Sequence, residues 1–403
     1  MRIATSQFYR QAMTAMQQQS SKLQQTQLQI TTGLKIMRPS DDPSGSVKVL
    51  NLNANMGEID QYNRNLSAAR SDISHQESVL ESINENLQRI RELTVQANNP
   101  TNHDSARVSI AKEIDQRMHE LVSLANSRDA NGDYMFAGTQ STTTPFVQSG
   151  EQFVYQGDQS MRKLQIGEGS NVIVRDSGDN IFMKIPGGDG RVQIEPGSGN
   201  TGSVLVGQYG ASNSFVPSNY TVEFMPQGPE QKMYYTIRDS ATPTPNVVAN
   251  GPYVDGATIS FTGVNMALTG VPQAGDTLAI SPAENTNIFD MVGAISAALA
   301  IPGTDSSATA KIQNGMGRGL ANIDQALAAV NNQRATLGSR LNTIESTESV
   351  NEDFKLQLET VLSDTQDLDY ADAISRFNQQ LTSLQAAQQA FVKTSELSLF
   401  RFL

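Results

Sequence analysis

Apolar residues recur at alternating steps of three and four along two long stretches of the sequence, one towards each end. The first stretch runs from Leu52 to Ala97 without losing phase. Its positions are Leu52, Asn55, Ile59, Tyr62, Leu66, Ala69, Ile73, Gln76, Leu80, Ile83, Leu87, Ile90, Thr94 and Ala97. This spacing predicts a helix with one buried stripe. At 1.5 Å per residue the helix is about 70 Å long.

A matching stripe lies near the C-terminus. Its positions are Leu320, Ile323, Leu327, Val330, Arg334, Leu337, Leu341 and Ile344. It lapses at Glu348 and Asn351 and resumes in a shifted phase at Phe354, which predicts a local disturbance of the packing. Since one amphipathic helix cannot bury its own stripe, we expect the two stretches to pack on each other. They would form an antiparallel, coiled-coil-like rod from both ends of the chain.

The two extreme ends carry weaker stripes that are diluted by Gln and Ser. The stripe residues are Tyr9, Met13, Met16, Leu23, Ile30 and Leu34 at one end, and Ile374, Phe377, Leu381, Leu384 and Phe391 at the other. Helices of this kind are marginal alone and often order against a partner. We therefore predict that residues 1–40 and 363–403 form terminal helices that are disordered in the monomer. The eleven stripe residues are the predicted assembly interface.

The middle of the chain has a different character. Eleven of the 15 Pro and 20 of the 30 Gly lie in residues 139–300, and both residue types break long helices. Short β-branched and aromatic runs between turn signals predict strands at residues 151–156, 171–176, 219–225, 232–239, 257–264 and 276–281. The predicted fold is mainly α, with residues 41–138 and 301–362 forming a helical domain and residues 139–300 a β-rich, outward-facing insertion.

Composition removes several functional classes. The chain has no Cys, so disulfides, thiolate metal sites and cysteine nucleophiles are excluded. A net charge of −12 argues against non-specific nucleic-acid binding. We find neither an apolar run long enough to span a membrane nor a cleavable signal peptide. Residues 1–40 contain basic but no acidic side chains. These features predict a cytoplasmic protein, or one exported by a route that reads no Sec-type signal.

Four short motifs resemble sites of known chemistry, and each departs from the pattern it would need. The run from His119 to Ser123 lacks the second His of a zinc-protease helix. The run from Asp129 to Asp133 is followed by Tyr134 at the sixth position, where a calcium loop needs Gly, and has no Glu at the twelfth, so it predicts a polar turn. The run from Gly187 to Gly190 occurs once, whereas calcium-binding β-rolls need stacked repeats. The glycines of residues 315–319 lack the third Gly spacing of a dinucleotide-binding loop and follow no clear strand. They predict a flexible entry to the C-terminal helix. We expect no enzyme activity, no cofactor and no metal.

Several longer motifs are similar to one protein family. The stretch from Thr26 to Gly45 (TQLQITTGLKIMRPSDDPSG) and the stretch from Asn331 to Thr347 resemble the two terminal regions of the bacterial flagellin superfamily. The motif from Asp129 to Thr139, the helix from Asp369 to Phe391 and the ending from Leu397 to Leu403 resemble the members of that superfamily found where hook meets filament. The resemblance implies a structural subunit that is exported through the flagellar type III pathway and assembled outside the cell at that junction.

The resemblance also implies partners. These are copies of the chain in a ring, the first hook-associated protein, flagellin, and a cytoplasmic export chaperone that covers the C-terminal helix. Two alternatives stay open at this point. One is a short flagellin that forms the filament itself. The other is a secreted adhesin or carbohydrate-binding domain, formed by residues 139–300 and carried on a helical stalk.

Overall fold

The computed structural model describes residues 2–99, 101–150, 152–240 and 246–399. Its helices are α1 (Arg2–Thr32), α2 (Pro43–Ala97), α3 (Asp104–Ala125), α4 (Ile288–Leu299), α5 (Ser306–Gln366) and α6 (Tyr370–Leu399). Strands occupy the region between α3 and α4. The predicted fold class is therefore confirmed: helices from both ends of the chain accompany an inserted β-rich segment.

Two compact units make up the chain. The terminal unit comprises Met1–Asn65 and Ser346–Leu403, and the central unit comprises Leu66–Glu345. Both divisions fall inside long helices, since α2 and α5 contribute to both units. The domain limits drawn from the sequence, and the disorder predicted for the terminal helices of the monomer, stay predictions.

In the central unit, α2 and α5 run antiparallel with their predicted stripes facing each other. Every stripe position of α2 from Leu66 to Ala97 is buried. Polar pairs along the two helices define the register: Glu77 with Arg334 (2.7 Å), Asn84 with Asn331 (2.8 Å) and Arg91 with Asp324 (2.7 Å). Residue numbers rise along α2 as they fall along α5, which confirms the antiparallel arrangement in this unit.

The lapse in the C-terminal stripe does not interrupt the helix. Helix α5 is continuous through Glu348 and Asn351. In the terminal unit, Asn351 is buried and its Nδ2 donates to Asn63 Oδ1 at 3.2 Å. Lys355 Nζ lies 2.7 Å from Asp60 Oδ1. Polar pairs thus replace apolar contacts at the lapse.

Helix α4 lies where the sequence predicts only β-rich insertion. Its first turn is capped by Asn287, whose Oδ1 accepts the N–H of Asp290 at 2.7 Å. Seven of its side chains are buried: Ile288, Phe289, Met291, Val292, Ile295, Ala298 and Leu299. A helix that is apolar on most sides shows no amphipathic period, which is why the pattern did not reveal it.

The glycines of residues 315–319 lie inside α5, not at a flexible entry, so that prediction was wrong. A Cβ built on Gly315 would lie 2.5 Å from the Cβ of Ala298, and one on Gly319 would lie 2.4 Å from Cγ1 of Ile295. Such distances are too short for carbon atoms. These two glycines allow α4 to pack directly against the α5 backbone.

The strands form small antiparallel sheets. Their bounds are β1 (Phe146–Ser149), β2 (Gln152–Tyr155), β3 (Arg162–Gly167), β4 (Ser170–Arg175), β5 (Ile185–Pro186), β6 (Val192–Pro196), β7 (Leu205–Ala211), β8 (Tyr220–Gln227), β9 (Lys232–Asp239), β10 (Asn246–Pro252), β11 (Thr258–Phe261), β12 (Val264–Thr269), β13 (Thr277–Pro282) and β14 (Asn285–Thr286). A five-stranded sheet has the order β10-β9-β8-β13-β6, and a three-stranded sheet has the order β11-β12-β7. Two-stranded sheets pair β1 with β2, β3 with β4, and β5 with β14.

The predicted strand runs correspond to β2, β4, β8, β9 and β13, with one exception. Residues 257–264, read as one run, are divided between β11 and β12 by a tight hairpin. Thr262 and Gly263 occupy its turn at φ +39° and +84°. Positive φ at both central positions is typical of the hairpin turns that match strand twist.

The strands belong to two different hydrophobic cores. The first four strands add Phe146, Phe153 and Val174 to the core of the helices. Their aromatic rings meet α4, with the rings of Phe153 and Phe289 4.9 Å apart. Strands β6 to β13 surround a separate core that includes Phe224 and Met266. The β-rich segment is thus partly an extension of the helical core and partly a body with its own interior.

Candidate assembly surface

Helices α1 and α6 pack side by side in the terminal unit and bring the two predicted terminal stripes together. The rings of Tyr9 and Phe391 meet edge to face, with centroids 5.5 Å apart. Gln19 Nε2 donates to the backbone carbonyl of Gln380 at 3.4 Å, and the Thr26 hydroxyl bonds Gln380 Oε1 at 2.9 Å. The two helices are therefore antiparallel, and their apolar stripes share one seam.

This seam is only half closed. Nine of the eleven predicted interface residues are half-buried: Tyr9, Met16, Leu23, Ile30, Leu34, Phe377, Leu381, Leu384 and Phe391. Met13 and Ile374 are about half exposed, at 51% and 48%. A pair of helices can cover only one side of each stripe, so apolar surface stays open for a further helix. The role of these residues as an interface stays a prediction.

The loop after α1 explains part of the motif from Thr26 to Gly45. Gly33 ends the helix at φ +75°, a conformation that glycine adopts without strain. Its carbonyl accepts the N–H of Leu368 at 2.9 Å, and Lys35 N–H donates to the carbonyl of Gln366 at 2.7 Å. The α1–α2 loop is thereby joined by backbone hydrogen bonds to the α5–α6 loop.

The two aspartates of the same motif organise the start of α2. Asp41 Oδ2 accepts the backbone N–H of Arg38 at 3.0 Å. Asp42 Oδ1 accepts the N–H groups of Ser44 and Gly45 at 3.1 and 2.9 Å, as an N-cap does. Pro43 then occupies the first helical position, where no N–H is needed. Asp369 caps α6 in the same way through the N–H of Ala371 at 2.9 Å.

A second cluster, in the central unit, is centred on Arg175. This side chain is fully buried and pairs with Asp129, with Asp133 at 3.5 Å and with Asp72 at 3.9 Å. Asp129 Oδ1 also accepts the N–H groups of Asn131 and Asp133, at 2.8 and 3.0 Å. The run from Asp129 to Asp133 is thus the predicted polar turn, held by an arginine from β4. Arg175 was not predicted as a functional residue, because its only sequence signal is a charge at the end of an apolar strand.

The electrostatics of Asp129 follow from this geometry. Burial alone raises the pKa of the Asp129 carboxyl. The backbone N–H groups of Asp133 and Asn131, together with the charge of Arg175, outweigh burial and hold that pKa below its ordinary value. The carboxylate is therefore ionised at neutral pH and neutralises part of the buried guanidinium.

The neighbouring motif residues form a hydrogen-bonded hub around Tyr155. The Tyr155 hydroxyl lies 2.9 Å from the carbonyl of Phe136, 2.8 Å from that of Asp158 and 3.1 Å from Ser177 Oγ. Burial raises the pKa of this phenol. These hydrogen bonds connect the end of the motif from Asp129 to Thr139 to the strands that follow.

In the described ranges, residues of the short motifs that resemble sites of known chemistry make contacts with neighbouring side chains and backbone. No group of His, Asp and Glu side chains there could hold a metal ion. Glu120, next to His119, bonds Arg117 and Asn86 on the surface of α3. Asp189, in the glycine-rich run from Gly187 to Gly190, accepts the N–H groups of Arg191 and Val192 and shapes a turn. Among the described helices, none has the length and apolar composition that a membrane crossing needs.

Comparison with known proteins agrees with the flagellin-like motifs at both ends of the chain. The bacterial flagellin N-terminal helical region matches residues 3–141, and the bacterial flagellin C-terminal helical region matches residues 320–403. Flagellar hook-associated protein 3 of Escherichia coli (strain K12) is 28% identical over 405 residues, which cover 100% of this chain and 99% of that protein. The crystal structure of flagellar hook-associated protein 3 from Legionella pneumophila is 33% identical, with a TM-score of 0.76, and the match covers 78% of this chain and 98% of that one. The chain belongs to the flagellar hook-associated protein 3 family.

Membership of this family confirms the resemblance drawn from the terminal motifs. It also bears on the flagellin alternative. Phase 1 flagellin of Salmonella naestved is 39% identical, but only over 103 residues, which are 26% of this chain and 20% of that protein. The likeness to hook-associated protein 3 extends over the whole chain, including the insertion. The final residues of the matched ending, 400–403, lie outside the described residues.

Proposed function

We propose that this chain is a structural, non-enzymatic junction subunit of the bacterial flagellum, assembled between hook and filament as an adaptor for flagellin. The full-length similarity to a hook-associated protein supports this role. The observation that carries it is the half-closed seam between α1 and α6. A subunit that added copies or neighbours at a growing tip would need such an incomplete core, because the missing helix comes from the next subunit.

Several partners follow from this role. Copies of the chain would form a ring, the first hook-associated protein would lie on the hook side, and flagellin on the other side. Before export, a cytoplasmic chaperone would cover the apolar stripe of α6. The chain would reach the extracellular junction through the flagellar type III pathway. The acid-free residues 1–40 suit a mobile export segment.

The two alternatives predict different locations for the protein. A short flagellin would occupy the whole filament, and the limited overlap with flagellin argues against it. An adhesin would act through residues 139–300. Those residues are part of the full-length match, and many of them pack into the helical core, which favours a structural role.

Immunogold electron microscopy of intact flagella tests the proposal directly. Antibody raised against residues 150–280 should label one point on each flagellum, where hook meets filament. Label along the filament would identify a flagellin, and absence of label from flagella would favour the adhesin. A strain that lacks the gene serves as the control for antibody specificity.

Substitutions in the seam test the surface itself. Phe377→Asp and Leu381→Asp each put a charge into an apolar contact and should abolish assembly. Gln379→Asp is the matched control, because Gln379 is exposed on the same helix. All three variants should retain the circular dichroism and the main unfolding transition of the wild-type chain, since the central unit contains its own cores. Normal filaments in both stripe variants would contradict the assignment.

A further inference from the structure

The sequence contains the dipeptide Asn-Gly three times, at residues 131–132, 250–251 and 314–315. In this dipeptide the side-chain amide of Asn lies next to a backbone nitrogen that no side chain shields, because Gly has no Cβ. That nitrogen can attack the amide carbon and close a five-membered ring. Since the same chemistry is available at all three places, the structure around each one decides whether it proceeds.

Asn314 and its neighbour are held inside the central unit. Asn314 is buried in α5, where its amide bonds the carbonyl of Val204 and the N–H of Val206, each at 2.8 Å. A Cβ built on Gly315 would lie 2.5 Å from the Cβ of Ala298 on α4. Ring closure would have to break both hydrogen bonds and distort a packed helix, so this site is protected.

Asn250 is exposed, but its backbone is held in a sheet. It lies on β10 opposite Thr236 of β9, and Gly251 lies opposite Tyr235. A Cβ built on Gly251 would lie 3.0 Å from the Tyr235 hydroxyl oxygen. Ring closure requires the peptide group after Asn to rotate, and pairing with the neighbouring strand restricts that rotation. This site is therefore partly protected.

Asn131 has neither kind of protection. Asn131 and Gly132 are both exposed in the segment between α3 and β1. Gly132 has φ +85°, and no heavy atom lies within 4 Å of a Cβ built on it. Its N–H donates to the carbonyl of Asp129 at 3.0 Å, in a turn at the surface. Because exposed turns open at a small free energy, the Gly132 nitrogen can reach the Asn131 amide without unfolding a helix or a sheet.

We propose that Asn131 is a site of spontaneous chemical modification, converted to aspartate and isoaspartate through a cyclic imide formed with Gly132. The Gly132 nitrogen loses its proton and forms a bond to Cγ of Asn131, while the Cγ–Nδ2 bond breaks and ammonia leaves with a proton. Water then opens the imide. Attack of water at Cγ leaves aspartate, and attack at the backbone carbonyl carbon leaves isoaspartate, whose main chain runs through Cγ.

The product places a new charge beside the Arg175 cluster. The Asn131 side-chain amide donates to the Asp129 carboxylate, and the backbone N–H of Asn131 donates to Asp129 Oδ1 at 2.8 Å. An aspartate at this position has no amide to donate and puts a second carboxylate beside Asp129, so repulsion replaces attraction. Arg128, which lines the same groove, is held by the ring and the hydroxyl of Tyr134. The modification therefore weakens the pairing of Asp129 with Arg175.

Peptide mapping by mass spectrometry of the purified full chain tests the proposal. The chain is incubated at mildly alkaline pH in water enriched in the heavy isotope of oxygen, so that residues formed by hydrolysis carry the isotope. In the folded chain, Asn131 should be converted at least about tenfold faster than Asn314, because two hydrogen bonds must open before Asn314 reacts. Conversion at Asn250 should be slower than at Asn131.

The same incubation in urea is the matched control. Residues 130–132 and 249–251 are the same tripeptide, Ala-Asn-Gly. Once the fold is lost, these two sites should therefore react at similar rates, and Asn314 should lose its protection. A difference that exists only in the folded chain is caused by the structure and not by the local sequence.

Two substitutions test the consequence for stability. Asn131→Asp introduces the carboxylate directly and should lower the ratio of folded to unfolded chain about fivefold. Asn131→Gln keeps an amide whose cyclisation would need a six-membered ring. Its urea midpoint should stay constant during an incubation that lowers the midpoint of the wild-type chain. Circular dichroism follows the unfolding of each variant before and after incubation.

Several outcomes would overturn the inference. They are faster conversion at Asn250 or Asn314 than at Asn131 in the folded chain, equal rates at the three sites, and conversion of Asn131 in urea alone. An Asn131→Asp variant as stable as the wild-type chain would refute the effect on the Arg175 cluster. The inference does not depend on the junction role, because every measurement uses the isolated chain, and labelling of flagella tests that role separately.

Discussion

Replacing Gly319 by alanine should destabilise the central unit, although alanine favours helices. In an exposed helix interior, alanine in place of glycine stabilises by about 0.5–1 kcal/mol. At Gly319 the new Cβ would lie 2.4 Å from Cγ1 and 3.0 Å from Cδ1 of Ile295. Because Ile295 is fully buried on α4, it has no free space to move into. Overpacking of this kind costs about 1–3 kcal/mol.

Gly317 provides the matched control, two residues away in the same helix. A Cβ built there has no heavy atom within 4 Å. Gly317→Ala should therefore gain only the stabilisation that the higher helix propensity of alanine provides. The difference in free energy of unfolding between the two variants isolates the packing cost, about 1–3 kcal/mol in favour of Gly317→Ala.

Urea unfolding of the full chain, followed by far-ultraviolet circular dichroism, measures this difference. Amide hydrogen exchange should also be faster in α4 of Gly319→Ala, since that helix must shift to admit the methyl group. Equal stability of the two alanine variants would refute the argument that glycine is needed for close packing of α4 on α5.

Four further substitutions test hydrogen-bonded contacts of the central unit by the same unfolding assay. Arg175→Met should cost about 3–5 kcal/mol, because it leaves the Asp129 carboxylate buried without its partner. The pKa of Asp129 is lowered in the folded chain, so the ionised carboxylate stabilises the fold above about pH 4. This stabilisation is lost as the pH falls through the pKa of Asp129 in the folded chain. Asp129→Asn should therefore make the free energy of unfolding less dependent on pH in the acid range. Tyr155→Phe should cost about 0.5–1.5 kcal/mol, because the single hydroxyl proton shared between the carbonyls of Phe136 and Asp158 is lost, while Gly178 N–H and Ser177 Oγ still donate to them. Asn314→Leu should cost about 1–3 kcal/mol for each of the two backbone groups that the amide now satisfies, the carbonyl of residue 204 and the N–H of residue 206, each at 2.8 Å. A loss below about 0.5 kcal/mol for Arg175→Met, Tyr155→Phe or Asn314→Leu would contradict the assigned contact.

The apolar stripes of the candidate surface were predictable from the sequence, but their partners in other loops were not. Heptad spacing placed Tyr9 and Phe391 on apolar stripes, and the structure brings these two rings into contact. The motif from Thr26 to Gly45 was recognised as a unit, but the tasks of its residues became clear only from the hydrogen bonds to the α5–α6 loop. Sequence spacing identifies a stripe, because helical neighbours lie three or four residues apart. It does not show which distant loop supplies the partner.

The errors have a common cause. Helix α4 was overlooked because a helix that is buried on most sides has no polar face to create a period. The glycines at 315 and 319 were misread as flexible because their purpose is set by Ala298 and Ile295 on another helix. Arg175 was overlooked because its partners lie at least 42 residues away, at Asp72, Asp129 and Asp133.

The sequence by itself determined the helices at both ends, their buried stripes, the β-rich middle and the flagellin-like terminal motifs. All of these depend on residues within a few turns of one another, where spacing alone decides which side chains share a face. Only the tertiary structure decided the sheet order, the two separate cores, the packing of α4 on α5 and the burial of Arg175. Those features depend on contacts between segments far apart in the chain, whose free energy arises only when folding brings the surfaces together.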